Sequence, residues 1–275
     1  QYNTGGMVQK LIFWNIGCFL FSLVFFYSFS VGSFQIPTWI ALSSDFGTFI
    51  RTPWTLITFN FFHAGFLHLI FNLMVLHFAG RLFSTYFTDK QLLGVYVLGG
   101  IFSGLTFVLS YIVIGKSGLL VGASGAIMAI LIATATYAPF MLLRIPLIGI
   151  VKLWHVAFVI LLVDLIQMPL DNTGGHLAHL GGALFGFIYI KLLQSGKDIT
   201  KPFLALLDTF ANLFKPKKKT PFKKVHRNTT KKVVNLFTEK DITQKQIDDI
   251  LDKISKSGYD SLTKEEKEFL FKAGK

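Results

Sequence analysis

The chain has 275 residues, of which 52% are hydrophobic and only 15% are charged. Soluble domains usually carry about 25% charged residues, so this composition excludes a disordered, collagen-like or purely nucleic-acid-binding chain. The net charge of +12 arises from 27 basic and 15 acidic residues. A single cysteine, Cys18, excludes an intrachain disulfide framework.

Long apolar runs are the main feature of the first 193 residues. A transmembrane helix needs roughly 20 mainly apolar residues to cross about 30 Å of hydrocarbon. The first run is longer than the usual apolar core of a signal peptide, and no small-x-small cleavage site follows it, so we expect a retained anchor. The sequence predicts an all-α membrane protein, a bundle of six transmembrane helices at about 11–31, 63–83, 91–112, 119–138, 147–168 and 175–193.

Basic residues in the short loops predict the orientation of these spans, because cytoplasmic loops carry an excess of Lys and Arg. With the N-terminus inside, the outer side receives only Arg51 and Lys116, and all other basic residues of the loops lie inside. We therefore expect both termini on the cytoplasmic side. The long outer segment 32–62 is expected to form a structured loop at the interface.

The predicted domains are a membrane domain at 1–200, an amphipathic and polybasic linker at 201–234, and a short helical tail at 235–275. Nine basic and no acidic residues fall within 215–232. Beside a membrane, such a block is expected to meet anionic lipid headgroups. Nucleic acid is the alternative partner, but no aromatic platform or known nucleic-acid-binding fold accompanies the block, so we expect none.

Capping-box spacing indicates two short helices in the tail. Thr243 pairs with Gln246, Thr263 pairs with Glu266, and Gly258 offers a stop between them. Two helices of this size cannot bury a sufficient core alone. The tail is therefore expected to dock on the membrane domain or on a protein partner.

Polar residues inside the predicted spans are candidates for function, because ionisable groups in a bilayer are expensive. Ser124, His179 and His68 each fall about five residues into a span that enters from the outer face, roughly 8 Å deep. A serine becomes a nucleophile when an adjacent base takes its proton. Six of the seven histidines lie in or at the edges of spans, namely His63, His68, His77, His155, His176 and His179.

Small residues around these positions predict close helix packing. Gly122 and Gly125 flank the serine with residues that lack bulk, and Gly182 and Gly186 form a Gly-xxx-Gly pair after His179. This pair would bring the fourth and sixth spans together, with the histidine beside the serine. Asn72 lies four residues after His68 on the same helix face and could help to stabilise an oxyanion.

Other interpretations of these residues remain open. The Gly-Ala-Ser-Gly stretch could be a packing motif, and His179 a buried structural histidine. His176 and His179, with His63 or His68, could ligate a metal, although no HExxH motif is present. Asp164 is the only acid deep in a predicted span, which leaves an aspartyl mechanism without a second carboxylate.

Three motifs in three successive inward spans carry a resemblance to a known family. They are His63-Ala64-Gly65-Phe66-Leu67-His68-Leu69-Ile70-Phe71-Asn72, Gly122-Ala123-Ser124-Gly125 and Ala178-His179-Leu180-Gly181-Gly182. Together with the six spans, they resemble the rhomboid family of intramembrane serine proteases over about residues 10–193. The tail is similar to a short cytoplasmic extension of some bacterial members.

The resemblance implies a serine endopeptidase of the bacterial cytoplasmic membrane that cleaves transmembrane segments of other proteins near the outer face. It implies a dyad without a third acid, in which Ser124 is the nucleophile and His179 the general base. His68, Asn72 and the Ser124 N–H would form the oxyanion hole, and His63 would have a supporting role. No cofactor or metal is implied. The chain differs from many members at Thr55 and Met128, where Arg and an aromatic residue are common.

Two further functions remain as alternatives. A non-catalytic rhomboid-like protein could capture membrane proteins through the same cavity. A metal-binding transporter could instead use His176 and His179. The intact set of catalytic residue types favours the protease.

Overall fold

A computed structural model of the chain describes residues 6–146, 148–170, 172–213 and 239–273, most of them helical. The helices are α1 Met7–Phe25, α2 Phe46–Arg51, α3 Thr55–Thr58, α4 Phe66–Phe83, α5 Asp89–Ile114, α6 Ser124–Tyr137, α7 Leu153–Gln167, α8 Thr173–Gln194, α9 Thr200–Leu213, α10 Glu239–Ser257 and α11 Lys264–Ala273. Three antiparallel two-stranded ladders pair β1 Tyr27–Ser28 with β2 Ser33–Phe34, β3 Leu42–Ser43 with β4 Leu119–Leu120, and β5 Leu142–Ile145 with β6 Gly149–Lys152. The chain divides into two compact units, Gln1–Pro216 and Lys217–Lys275.

Four of the described helices, α1, α4, α5 and α8, are long and apolar enough to cross a membrane. The apolar helices α6 and α7 have only 14 and 15 residues. At 1.5 Å per residue they are shorter than about 30 Å of hydrocarbon. The chain is therefore an all-α integral membrane protein, in which the six predicted spans are four helices of spanning length and two shorter ones.

Strand pairing explains why α6 and α7 are shorter than the fourth and fifth predicted spans. Residues Leu119–Leu120 are extended and pair with Leu42–Ser43, so α6 begins only at Ser124. Residues Gly149–Lys152 pair with Leu142–Ile145 in a hairpin. Non-helical backbone is tolerated at membrane depth where protein or a water-filled cavity supplies its hydrogen bonds.

The first helix is also displaced from its predicted span of 11–31. It runs from Met7 to Phe25, and the following residues turn into the β1–β2 hairpin. Gly32, at the hairpin turn, has φ +69°, a conformation that glycine adopts without strain. An apolar run alone cannot separate a helix from a hairpin of similar composition.

Helix α6 is the centre of the membrane unit. All residues from Gly125 to Ala135 are buried, so the helix is covered on every side rather than on one stripe. Helices α4, α5, α7 and α8 pack around it. Its N-terminus meets the segment between α1 and α4, because the Gly122 N–H donates to the Phe59 carbonyl oxygen at 2.9 Å. Hence the predicted loop 32–62 lies directly beside the start of α6.

The tail unit contains the two predicted helices. Helix α10 begins at Glu239, four residues before the predicted cap at Thr243, and ends at Ser257, where Gly258 has φ +78°. The second predicted capping box is present, because Thr263 and Glu266 bond each other's backbone N–H groups at 2.8 and 3.3 Å. The polybasic residues 215–232 lie outside the described part of the chain.

Candidate active site

Helices α6 and α8 touch backbone to backbone. A Cβ atom added to Gly182 would overlap the carbonyl oxygen of Gly125, and one added to Gly186 would overlap that of Ala129. Only glycine allows this approach, which the Gly-xxx-Gly spacing predicts. The residue after Ala178 in α8 is His179, and the carbonyl of Ala178 faces the same Gly125. The start of α6 and the first turns of α8 are therefore in contact.

Ser124 is the first residue of α6 rather than the fifth residue of a span, and its side chain is half-buried. The preceding Gly122 has φ +133°, a conformation open almost only to glycine, which turns the extended β4 segment into the helix. The N–H groups of a first helical turn have no acceptor within the helix. The backbone N–H of Ser124 belongs to this turn and is suited to binding an anionic oxygen.

His68 lies beside this turn. It is the third residue of α4, and a Cβ on Gly122 would be 2.9 Å from its ring atoms Cε1 and Nε2 and 3.8 Å from Ser124 Oγ. The amide of Asn72 donates to the His68 carbonyl oxygen at 2.8 Å. The buried ring of His63 packs edge-on against His68, with 5.1 Å between the ring centroids. Thus the ring of His68 lies beside the turn that leads to Ser124, Asn72 bonds the backbone of His68, and His63 packs against its ring.

His179 is the seventh residue of α8, and 23% of its side chain is exposed. Its Nδ1 lies 2.9 Å from Oδ1 of Asp164, and Nδ1 of His176 lies 2.7 Å from the same oxygen. The hydrogen bonds described for the chain include none between Ser124 and His179. Catalytic hydrogen bonds are often long or poorly aligned before substrate binds.

Asp164 is the residue that sequence reasoning missed. The resemblance implies a histidine without an acidic partner, whereas here a carboxylate bonds the candidate base. The available signal was the cost of an acid inside a bilayer, which makes any such residue a functional candidate. The spacing of 15 residues across a helix break gave no indication that Asp164 and His179 face each other.

The same three side chains are also of the types that bind metal ions. Asp164, His176 and His179 each offer one ligand atom, and these atoms lie within 4.8 Å of one another. Two ligands on a tetrahedral Zn²⁺, each about 2.0–2.2 Å from the ion, stand about 3.3–3.6 Å apart. The contacts of 2.7 and 2.9 Å are shorter and match hydrogen bonds. The spacing therefore fits one carboxylate oxygen shared by two ring nitrogens.

Comparisons with known proteins agree with this architecture. Residues 51–195 match the rhomboid domain, and residues 237–272 match DUF6576, a family of unknown function. The chain is 34% identical over 137 residues to presenilin-associated rhomboid-like protein A, mitochondrial, of Danio rerio, covering 48% of this chain and 35% of that protein. The presenilin-associated rhomboid-like proteins, mitochondrial, of Rattus norvegicus and Homo sapiens are 32% and 31% identical over 142 and 143 residues, each covering 50% of this chain and 37% of the relative.

The match spans about a third of the length of these relatives. The rhomboid domain covers more than half of the present chain and includes the turn at Gly122, Ser124 and His179. The chain belongs to the rhomboid family.

Proposed function

We propose that this protein is an intramembrane serine endopeptidase that cleaves transmembrane segments of other membrane proteins near the outer face. Ser124 is the nucleophile and His179 the general base. The observation that carries the proposal is the contact of Gly125 with Gly182, which sets the start of α6 against the helix that bears His179. Rhomboid family membership supports the same assignment.

In the first half of the reaction, Ser124 Oγ attacks the carbonyl carbon of the scissile peptide while its proton passes to Nε2 of His179. The electron pair of the carbonyl moves onto oxygen, and the ring of His68, the amide of Asn72 and the Ser124 N–H stabilise that oxyanion. The protonated His179 then donates to the amide nitrogen as the C–N bond breaks. One product leaves with a new amino group, and the other remains as an ester on Ser124.

In the second half, water attacks the ester and gives a proton to His179 as its oxygen bonds the carbonyl carbon. The histidine returns this proton to Ser124 Oγ as the ester bond breaks. Water must therefore reach the site. Partial exposure of Ser124, His68 and His179, in contrast to the buried body of α6, supports access from one face.

Substrate helices present a separate requirement. Their carbonyl groups are already hydrogen-bonded within the helix, so a scissile bond becomes accessible only after local unwinding. We expect a preference for substrate segments that contain Gly or Pro close to the outer face, because these residues weaken helices. The β3–β4 pairing fixes the outer segment beside this end of α6, so that segment borders the entry route.

The decisive experiment is cleavage of a reporter transmembrane substrate by purified protein in lipid vesicles. The variant Ser124→Ala is expected to lose all cleavage and to retain the thermal unfolding profile of the wild type. Ser22→Ala is the matched control, because Ser22 is a buried serine of α1 whose hydroxyl donates only to its own helix at Cys18 O, 2.9 Å away. Cleavage by Ser124→Ala at the wild-type rate would overturn the proposal.

A fluorophosphonate probe separates the protease from a non-catalytic binder of membrane proteins. The protease forms a covalent adduct at Ser124, and the Ser22→Ala control labels as fast as wild type. A folded wild-type protein that neither labels nor cleaves, yet retains transmembrane segments in a pull-down, would favour the binder.

We further propose that the chain lies in a bacterial cytoplasmic membrane with both termini in the cytoplasm. The loop distribution of basic residues supports this orientation. The relatives compared above carry the word mitochondrial in their names. The thiol labelling described next tests the orientation of the chain, and fractionation of the native cell tests which membrane holds it. In a Cys18→Ser background, Lys116→Cys should react with an impermeant thiol reagent from outside, and Lys197→Cys only after lysis. The reverse pattern would invert the topology.

Two partners are proposed outside the active site. The polybasic residues 215–232 would bind anionic lipid headgroups, and binding to vesicles should weaken steeply with salt. The tail at 235–275 would bind a protein partner, and deletion of the tail should remove that partner from a pull-down while the isolated enzyme keeps its cleavage rate.

A further inference from the structure

One carboxylate oxygen of Asp164 contacts two histidine rings in the membrane unit. Oδ1 of Asp164 contacts Nδ1 of His176 at 2.7 Å and Nδ1 of His179 at 2.9 Å. An ionised carboxylate only accepts hydrogen bonds, and a neutral one offers a single O–H that can serve one ring. Two ring nitrogens at one oxygen are accounted for most simply when both Nδ1–H groups donate to an ionised Asp164.

Burial of an ionised Asp164 costs free energy. Asp164 is only 6% exposed, and its second oxygen, Oδ2, has no hydrogen-bond partner among the described residues. A buried charge must be compensated by close donors, or it destabilises the fold by several kcal/mol. Helix α7 buries only Leu153, Ala157 and Asp164, so the acid lies on the narrow face that packs on α8. Two N–H donors from α8 provide the compensation.

The two histidines have different surroundings. The side chain of His176 is 11% exposed, whereas that of His179 is 23% exposed and follows Ala178 at the contact with α6. A hydrogen bond at one ring nitrogen of histidine determines which tautomer is present and how the ring is oriented. With Nδ1 committed to Asp164, the free lone pair of His179 is on Nε2.

We propose that Asp164 is a positioning residue that holds His179 in the Nδ1–H tautomer, with Nε2 free to accept the proton of Ser124. His176 is the second donor that keeps the carboxylate in place. The inference rests on the proposed protease function. It replaces the dyad of Ser124 and His179 with a triad in which Asp164 orients the His179 ring. Asp164 touches neither the substrate nor the reacting atoms, and it acts through the histidine ring.

The first test is direct observation of the tautomer in the wild-type protein. Nitrogen-15 NMR of histidine-labelled protein in lipid nanodiscs distinguishes protonated from unprotonated ring nitrogens, and a His179→Gln spectrum assigns the signal. The expected result is a neutral His179 with a proton on Nδ1 and none on Nε2. A proton on Nε2 in the neutral ring would overturn the inference. This measurement needs no substrate, so it decides the matter even if the protein proves not to be a protease.

The second test is the nearly isosteric variant Asp164→Asn. An asparagine amide can donate to Nδ1 and so favour the opposite tautomer, a change that lowers kcat about 10⁴-fold in the serine protease triad. We expect kcat to fall at least about 100-fold while KM stays within about threefold, and the Nε2–H signal of His179 to appear. Asp89→Asn makes the same chemical change at an exposed residue of α5 and should leave kcat unchanged.

The outcomes of the variant test are distinct. A folded Asp164→Asn protein with kcat within threefold of wild type would overturn the inference, as would a loss of kcat with the wild-type tautomer retained. If the variant does not fold, the tautomer of the wild-type protein alone decides. A wild-type protein that neither cleaves nor reacts with the fluorophosphonate would remove the proposed function, while the tautomer would still report on the Asp164 contact.

Discussion

The carbonyl oxygen of Gly125 occupies the space that a Cβ atom on Gly182 would need. This relationship joins the helix that begins at Ser124 to the helix that bears His179, without any side chain between the two backbones. Because the obstructing atom is backbone, no rotamer change can relieve a substitution, and the helices themselves must separate. The geometry of the candidate active site therefore depends on two glycines that carry no functional group.

The variant Gly182→Ala is expected to lower the free energy of unfolding by about 1–3 kcal/mol, the usual cost of overpacking a core. A displacement of about 1 Å between reacting groups can cost about 100-fold in rate, so cleavage should fall by at least tenfold. Thermal unfolding in detergent and the reporter cleavage assay measure the two effects. Gly17→Ala is the control, because Gly17 lies in the exposed part of α1 with nothing within 4 Å of its Cβ position.

The variant Gly122→Ala is expected to abolish cleavage for two reasons. Its φ of +133° is strained for any residue with a side chain, and its Cβ would lie 2.9 Å from the ring of His68. Gly149→Ala is the control for a positive φ alone, because Gly149 has φ +102° and open space around its Cβ position. Fluorophosphonate labelling should be lost in Gly122→Ala and kept in Gly149→Ala. Wild-type labelling of Gly122→Ala would contradict the proposed role of this turn.

Composition and motif order were sufficient to predict the all-α membrane fold and the family. Apolar runs indicated where the chain enters the membrane, and the glycine spacing indicated which helices approach closely. They did not indicate where each helix begins, because Leu119–Leu120 is as apolar as the helix that follows. Its extended form depends on pairing with Leu42–Ser43, in which Leu120 pairs with Leu42, 78 residues earlier, and no local sequence pattern indicates this pairing.

The contact of Asp164 with His179 could not be predicted for a related reason. The two residues lie on different helices, and the rotation of α7 about its axis decides whether the acid faces α8 or lipid. Helix α7 is apolar almost throughout, so periodicity does not reveal its buried face. The cost of placing a carboxylate against lipid was the one sequence-level argument for an inward orientation.

We expect the buried hydroxyl of Tyr96, which lies outside the candidate active site, to contribute to the free energy of unfolding. It donates to the carbonyl oxygen of Asn60 at 3.0 Å and accepts from the amide of Asn15 at 3.2 Å, which links α5 to α1 and to the segment between α1 and α4. Tyr96→Phe leaves two buried polar groups with fewer partners and should lower the free energy of unfolding by about 1–3 kcal/mol. Thermal unfolding is the measurement. Tyr137→Phe is the control, because Tyr137 is 45% exposed and its ring packing on Phe87 is kept.

We expect the stability of the tail unit to depend on pH through Glu266. Its two carboxylate oxygens each accept from Lys253 Nζ at 2.9 Å, joining α11 to α10, and one also accepts the Thr263 N–H at 2.8 Å. The hydrogen bond from Lys253 is the main cause that lowers the pKa of Glu266 from its ordinary value, and the Thr263 N–H is the next. A lowered folded-state pKa stabilises the fold above the unfolded pKa, about 4.3, and this stabilisation is lost as pH falls through the folded pKa.

We therefore expect hydrogen-exchange protection of α11 in the full-length protein to be constant from pH 7 to about 5 and to decrease below about pH 4.3. Protection must be corrected for the intrinsic pH dependence of exchange. Glu266→Gln removes the charge but keeps an amide that can complete the capping box, so its protection should be lower at neutral pH and change little on acidification. Glu265→Gln removes the same charge from the exposed neighbouring residue of the same helical turn and should keep the wild-type pH profile. An identical acid response in wild type and Glu266→Gln would show that other groups hold the two helices together.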